Sequence, residues 1–267
     1  MTTSISETSI VDTKIDPMTP KLLSKIHDAQ LKFANLLQDH VSQNGADIDQ
    51  YVRYLTMQYH LTKEVARYFL VCAAHPSMIR KCRLRKFLIE FSMEEELHYL
   101  IAARDLKCLD REVLAEPLDV RLWHVFFRSV IEARPFLRLG AACVLENISG
   151  GPARSLVKTA LRASYMTVQN TRFLSIHQHE DVPHGDQILE AIARDPLTIP
   201  EREDLIKGAE IGAYLYLRMA HWALTGEGLL IGTVDGCDTH SLTSREEADI
   251  SEISTLVVGD QVRLLSA

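Results

Sequence analysis

Apolar residues follow a helical period along almost the whole chain. From residue 21 to residue 224 they recur mostly at intervals of three and four, and no segment with a strand period occurs before Gly226. The pattern predicts helices at 21–41, 49–74, 79–108, 118–133, 138–148, 153–165, 168–193 and 200–224. Seven or eight amphipathic helices joined by short turns predict an all-α fold built as one helical bundle.

The two ends of the chain differ from this pattern. Residues 1–19 are rich in Ser and Thr, and we expect a disordered leader there. The helical domain is predicted to span residues 20–225. Residues 226–267 form a short C-terminal extension that is first Gly-rich, then acidic, then rich in β-branched residues, which indicates a short strand pair or a partly disordered tail.

Charge and composition exclude several classes of protein. A formal net charge of -7 argues against a general nucleic-acid binder, which usually presents a basic surface. No apolar run reaches the roughly 18 residues that a membrane span needs, and the N-terminus lacks the order of a secretion signal. The 5 cysteines are scattered and form no Cys-x-x-Cys pair, which is typical of reduced thiols in the cytoplasm.

Two short motifs carry candidate metal ligands. Glu95 and His98 form a Glu-x-x-His pair within the predicted 79–108 helix, a spacing that places both on one helix face. Glu146 follows an apolar helix, where the partial negative charge of the helix end disfavours a carboxylate and therefore indicates a compensating cation. Each motif is common by chance when it stands alone.

The third motif is more specific. His177, Asp181 and His184 are spaced i, i+4 and i+7, so on a helix they fall within a stripe about 60° wide. Leu174 and Ile188 lie near the same stripe, which predicts that it faces inward. A buried cluster of this kind is costly unless it binds a cation. Pro183, directly before one of these ligands, is expected to kink the helix.

The three motifs together offer three carboxylates and three imidazoles. This mixture of oxygen and nitrogen ligands suits iron or manganese, and carboxylates can bridge two metal ions. None of the three motifs contains a cysteine, which argues against a structural zinc site.

In this order, across residues 49–222, the motifs resemble those of the haem-oxygenase-like di-iron oxidases and oxygenases. The resemblance implies a haem-oxygenase-like bundle, two weakly held Fe(II) ions per chain and dioxygen as co-substrate, with manganese at one position as an alternative. The iron ligands that it implies are Glu95, His98, Glu146, His177, Asp181 and His184. Glu64 is a further candidate ligand, because some members carry an additional carboxylate; no catalytic residue beyond the metal ligands is identified.

The reaction that this resemblance implies is oxygenation or oxidation of a small molecule in specialised metabolism. An amino-acid-like or amine substrate is favoured because several arginines are available to pair with a carboxylate: Arg80, Arg83, Arg85, Arg134 and Arg138. A fatty-acid decarboxylase of the same superfamily is the alternative. We expect no nucleic-acid or membrane partner, and such a bundle is compatible with a homodimer.

Three other interpretations are open. A ferritin-like di-iron bundle would use Glu64, Glu95, His98, Glu146, Asp181 and His184 as ligands. A metal-free relative, resembling thiamine-degrading or cofactorless enzymes of the haem-oxygenase-like fold, would lack the full ligand set. A non-catalytic helical interaction protein would leave an inward cluster of His, Glu and Asp unexplained.

Overall fold

The computed structural model of the chain describes residues 18–176, 184–228 and 239–240. In chain order its helices are α1 (Met18–His40), α2 (Ile48–Thr62), α3 (Val65–Ala74), α4 (Cys82–Glu95), α5 (His98–Cys108), α6 (Leu118–Val130), α7 (Pro135–Leu145), α8 (Arg154–Ala160), α9 (Arg172–Ile176), α10 (His184–Ala193) and α11 (Ile199–Thr225). The predicted all-α architecture is confirmed. The leader at residues 1–17 and nearly all of the C-terminal extension lie outside the described residues.

A single short strand pair accompanies the helices in the described part of the chain. Strand β1 (Val113–Leu114) runs antiparallel to β2 (Thr239–His240), with Val113 opposite His240. The sequence indicated a strand pair within the tail, whereas one of the two strands comes from the connection between α5 and α6. A strand of two residues is too short to produce an alternating pattern, so the periodicity could not reveal β1.

Two helices that the sequence predicts as continuous are each divided into two. The 49–74 helix breaks at Lys63 and Glu64, and the 79–108 helix breaks at Glu96 and Leu97. Leu97 has φ −117° and ψ 8°, which lies outside the helical region. Neither break contains proline or glycine, and the apolar spacing continues across both of them. The sequence therefore carried no local signal for either break.

Side-chain caps fix where two of the long helices begin. Asp47 accepts the backbone N–H of Gln50, whose side chain in turn accepts the Asp47 N–H, so the pair forms a capping box at the start of α2. Thr198 and Glu201 form the same motif at the start of α11.

The main core is organised around α7, whose residues are all buried from Pro135 to Val144. Helix α11 packs on α7 so closely that backbone meets backbone. A Cβ atom on Gly140 would overlap the Leu205 carbonyl oxygen, and one on Gly208 would overlap the Leu137 carbonyl oxygen. Glycine is required at both positions because only a hydrogen atom fits between the two helices.

None of the described helices is both long and apolar enough to cross a membrane.

Replacing Gly208 by alanine tests this close approach. At an exposed helix position, the change from glycine to alanine stabilises by about 1 kcal/mol. Here we expect the free energy of unfolding to fall by about 3 kcal/mol, because the new methyl group meets a backbone oxygen that no side-chain rotation can move. Urea denaturation measures the change. Glu203→Ala, at an exposed position on the same helix, is the control and should shift stability by less than about 0.5 kcal/mol. A Gly208→Ala variant as stable as the wild type would contradict the packing.

Candidate metal centre

Three of the predicted ligands come from three separate elements and meet at one point. Glu95 is the last residue of α4, Glu146 follows the last residue of α7, and His184 is the first residue of α10. One ligand atom from each of them lies within 4.8 Å of the other two. Glu95 and His184 are buried, and Glu146 is half-buried. The prediction that these residues approach one another is therefore realised in the fold.

Glu95 occupies the middle of this group, because its two carboxylate oxygens face different imidazoles. Its Oε2 atom lies 2.8 Å from His98 Nδ1, and its Oε1 atom lies 3.2 Å from His184 Nδ1. The two imidazole rings are nearly parallel, with centroids 6.5 Å apart. Glu95 therefore links the Glu-x-x-His motif to His184.

The break between α4 and α5 produces this arrangement. The sequence predicted that both residues lie on one face of a continuous helix. Instead, Glu95 ends one helix and His98 begins the next, so the motif spans a junction. The two side chains still meet, since they are hydrogen-bonded at 2.8 Å.

A glycine brings His184 next to Glu146. A Cβ atom on Gly185 would lie within 2.5 Å of Asn147 Cγ, so the start of α10 touches the residue that follows Glu146. The Asn147 side chain is itself held, because its amide donates to the Cys143 carbonyl at 2.8 Å. The absence of a side chain at Gly185 thus sets the separation of 3.7 Å between His184 Nδ1 and Glu146 Oε2.

The electrostatics of the group favour a cation. Burial by itself lowers the pKa of His184, but hydrogen bonds and negative charge from Glu146 and Glu95 outweigh it and raise the pKa to about 10. The protein without metal therefore places a protonated imidazole between two carboxylates. Carboxylate and imidazole donors, with no cysteine in the described group, fit iron or manganese.

Comparison with known proteins identifies the family. The family model described as an iron-containing redox enzyme matches residues 52–217, which is more than half of the chain. The chain belongs to this family of iron-containing redox enzymes. The fold is haem-oxygenase-like, as the sequence predicted. It is similar to the crystal structure of a domain of unknown function with a heme oxygenase-like fold from Shewanella denitrificans. The TM-score is 0.64 at 17% identity, and the match covers 79% of this chain and 93% of the other. A comparison with curated proteins found no match.

The other predicted ligands do not all join this group. His98 is buried and contacts Glu95, whereas His177 and Asp181 lie outside the described residues. Glu64 precedes α3 and is paired with Arg67 and Arg128. The structure therefore accounts for the Glu64 carboxylate by two ion pairs and does not include it in the group with Glu95.

Helix α9 ends at Ile176, and a buried carboxylate accepts a hydrogen bond from its first turn. Asp105 on α5 accepts the backbone N–H of Phe173 at 2.8 Å. Burial raises the pKa of Asp105 to about 6, although hydrogen bonds from the backbone of Phe173 and Arg172 oppose the shift. Asp105 did not stand out in the sequence, because its partners are 68 residues away.

Sequence reasoning also missed two neighbours of His184. The Phe91 ring packs edge-on against the imidazole with centroids 4.6 Å apart, and Glu94 Oε2 lies 3.7 Å from His184 Nε2. Phe91 reads in the sequence as an ordinary core residue, and Glu94 as part of an acidic run. No local pattern distinguishes them, since only the docking of α10 on α4 creates these contacts.

The Gly185→Ala substitution tests how His184 is positioned. We expect the added methyl group to push α10 away from Asn147 and to weaken Fe(II) binding by at least about tenfold, measured by anaerobic titration. Removing the obstacle in the double variant Gly185→Ala with Asn147→Ala should restore most of the affinity, and Asn147→Ala alone is the control. Unchanged Fe(II) affinity in Gly185→Ala would show that this contact does not position the ligand.

The raised pKa of His184 predicts how stability depends on pH in the metal-free protein. The imidazole titrates near 6.5 when unfolded and near 10 when folded. Its stabilising contribution is therefore fully present below pH 6.5 and is lost as the pH rises towards 10. With a chelator present, the urea midpoint of the wild type should fall between pH 7 and pH 9.5, and that of His184→Gln should fall less. Parallel curves for the two proteins would contradict the assignment.

Proposed function

We propose that this protein is a non-haem di-iron enzyme that uses dioxygen to oxidise or oxygenate a small amino-acid-like or amine substrate in specialised metabolism. The observation that carries the proposal is the convergence of Glu95, Glu146 and His184 in a member of an iron-containing redox enzyme family. Helical-bundle proteins with two metal ions are built from such carboxylate and Glu-x-x-His ligands projecting from facing helices.

The position of Glu95 supports two ions over one. Its two oxygens face His98 on one side and His184 on the other, and Glu146 approaches the His184 side. A carboxylate between two nitrogen donors is suited to a site that would hold two metal ions. In this proposal Glu95, Glu146, His98 and His184 would hold the ions, together with His177 and Asp181, which lie outside the described residues.

The chain's own residues hold and shield this centre. When bound, ferrous iron supplies electrons for the reduction of dioxygen. Glu95 and Glu146 would offset the charge of bound iron, and His184 would give up its proton on becoming a ligand, so metal uptake would release a proton. Phe91 fixes the orientation of the His184 ring and keeps water from that face of it.

We also propose that the protein works in the cytoplasm. The four described cysteines are all free thiols, at Cys72, Cys82, Cys108 and Cys143, and free thiols persist in a reducing compartment.

Anaerobic titration of the full-length protein with Fe(II) tests the proposal. We expect about two equivalents to bind, and exposure to oxygen should then consume dioxygen in an iron-dependent reaction. Glu95→Gln should bind less than one equivalent, because it removes the bridging charge. Glu96→Gln changes the same charge at the adjacent exposed residue and should bind as the wild type does.

The alternatives predict other results. Binding of no iron by the wild type would rule out the di-iron proposal and favour a metal-free relative of the same fold. If iron binds, dioxygen uptake in the presence of panels of amino acids, amines and fatty acids identifies the substrate class. Stimulation by fatty acids alone would favour the decarboxylase.

A further inference from the structure

One arginine of the chain is buried in an unusual environment. Of the five arginines that were candidates for pairing with a substrate carboxylate, Arg80, Arg83, Arg85 and Arg134 are exposed, whereas Arg138 is only 1% exposed. Arg138 lies in the first half of α7, the helix whose end is followed by Glu146. Burying a guanidinium ion costs several kcal/mol unless its charge and its N–H groups find partners.

Aromatic rings surround the Arg138 guanidinium. Its Cζ atom lies 5.0–5.6 Å from the ring centroids of four side chains: Tyr68, Phe69, Trp123 and Phe127. Such rings attract the positive charge but do not replace a hydrogen-bond acceptor. The Nε and Nη1 atoms, which carry most of the guanidinium N–H bonds, have no hydrogen-bond partner in the described structure.

A second buried donor lies beside the first. Trp123 is fully buried, its ring centroid is 5.4 Å from Arg138 Cζ, and its Nε1 atom also lacks an acceptor among the described residues. Trp Nε1–H and the guanidinium can only donate hydrogen bonds. Two neighbouring side chains whose buried donors lack an acceptor among the described residues are complementary to an anion with two or more acceptor oxygens.

Another buried cation shows how this fold treats a charge with a structural role. Lys81 is 7% exposed and lies 5.6 Å from the Phe136 ring, so it too is buried beside an aromatic side chain. Its Nζ atom nevertheless pairs with Glu201 at 2.7 Å. Arg138 has an aromatic environment of the same kind but forms no ion pair within the described residues. Among the described residues Arg138 therefore has no acceptor, and a bound anion would supply one.

The donor pair is close to the candidate metal centre. Arg138 Cζ is 5.6 Å from the Phe69 ring, Phe69 contacts Phe91 at 5.0 Å between centroids, and Phe91 contacts His184 at 4.6 Å. Arg138 and Glu146 are eight residues apart, about 12 Å along a helix axis. The rings of Phe69 and Phe91 thus lie between the donors and the candidate ligand His184. A small elongated molecule can span this separation.

We propose that Arg138 and Trp123 form a buried carboxylate-binding subsite that holds one end of the substrate while its reacting end lies at the metal centre. The inference rests on the proposed function, because it assigns the substrate of that same centre to carboxylic acids. Arg138 supplies the charge and the paired N–H groups, and Trp123 supplies a further donor. Phe69 and Phe91 provide the apolar wall between the two ends.

Titration of the full-length protein with hexanoate tests this subsite. Hexanamide has the same shape without the charge, and sodium chloride supplies an inorganic anion. The protein is labelled with ¹⁵N at its 2 tryptophans, and the Trp222→Phe variant assigns their indole signals. The indole signals are measured without metal, so that iron cannot bind the carboxylate. Calorimetry then measures hexanoate binding to the metal-free and to the Fe(II)-loaded protein.

We expect hexanoate to shift the Trp123 indole signal and to leave that of Trp222 unchanged, while hexanamide at the same concentration has no effect. Arg138→Met should weaken hexanoate binding at least tenfold. The control is Arg134→Gln. Arg134 lies four residues before Arg138, is exposed and pairs with Asp204, so this variant should bind hexanoate as the wild type does.

Three results would overturn the subsite. The first is a hexanoate affinity of Arg138→Met within twofold of that of the wild type. The second is binding of hexanamide as tight as that of hexanoate. The third is a shift of the Trp123 signal with chloride as large as with hexanoate, which would indicate an adventitious ion only. If Arg138→Met does not fold, the wild-type comparison of hexanoate with hexanamide decides alone. Because the metal-free titration does not depend on iron, a missing subsite and a missing di-iron centre are distinguished by the separate Fe(II) titration.

Discussion

The backbone contact between α7 and α11 is the constraint on which the rest of this structure depends. Gly140 and Gly208 allow each helix to touch the main chain of the other, so neither helix can slide or rotate without a steric clash. Helix α7 is thereby fixed along its whole length, with Arg138 in its first half and Glu146 directly after its end. The same packing therefore sets the positions of the candidate ligand Glu146 and of the proposed carboxylate subsite.

The charges at the centre follow from where the helices end. Glu95, His98, Glu146 and His184 all lie at the first or last residue of a helix or directly after one, and none is in a helix interior. The ends of α4, α7 and α10 lie next to one another, so residues distant in sequence share one small volume. Without metal, the proton on His184 offsets the carboxylates, so the fold is already arranged for a positive charge. In the proposed function, a divalent ion held by these residues would take the place of that proton.

The described interior therefore contains two regions of opposite electrostatic character on either side of Phe69 and Phe91. On one side, carboxylates surround a position suited to a cation. On the other, Arg138 and Trp123 present donors suited to an anion. An apolar wall of aromatic rings between them lowers the local dielectric constant and strengthens both interactions. A substrate with an acidic group at one end and an oxidisable group at the other would match this polarity.

The sequence by itself determined the helical class, several helix starts and the residue types of the candidate metal centre, because hydrophobic period and ligand chemistry are local properties. The predicted helix start at residue 118 shows this, and so does the contact between the candidate ligands Glu95 and His98. Only the tertiary structure decided that α4 and α5 separate between those two ligands, and that Gly185 meets Asn147. The burial of Arg138 among four rings was decided in the same way, while Arg134 on the preceding turn stayed exposed. These features arise from contacts between residues far apart in the chain, where helix packing overrides what any local pattern can specify.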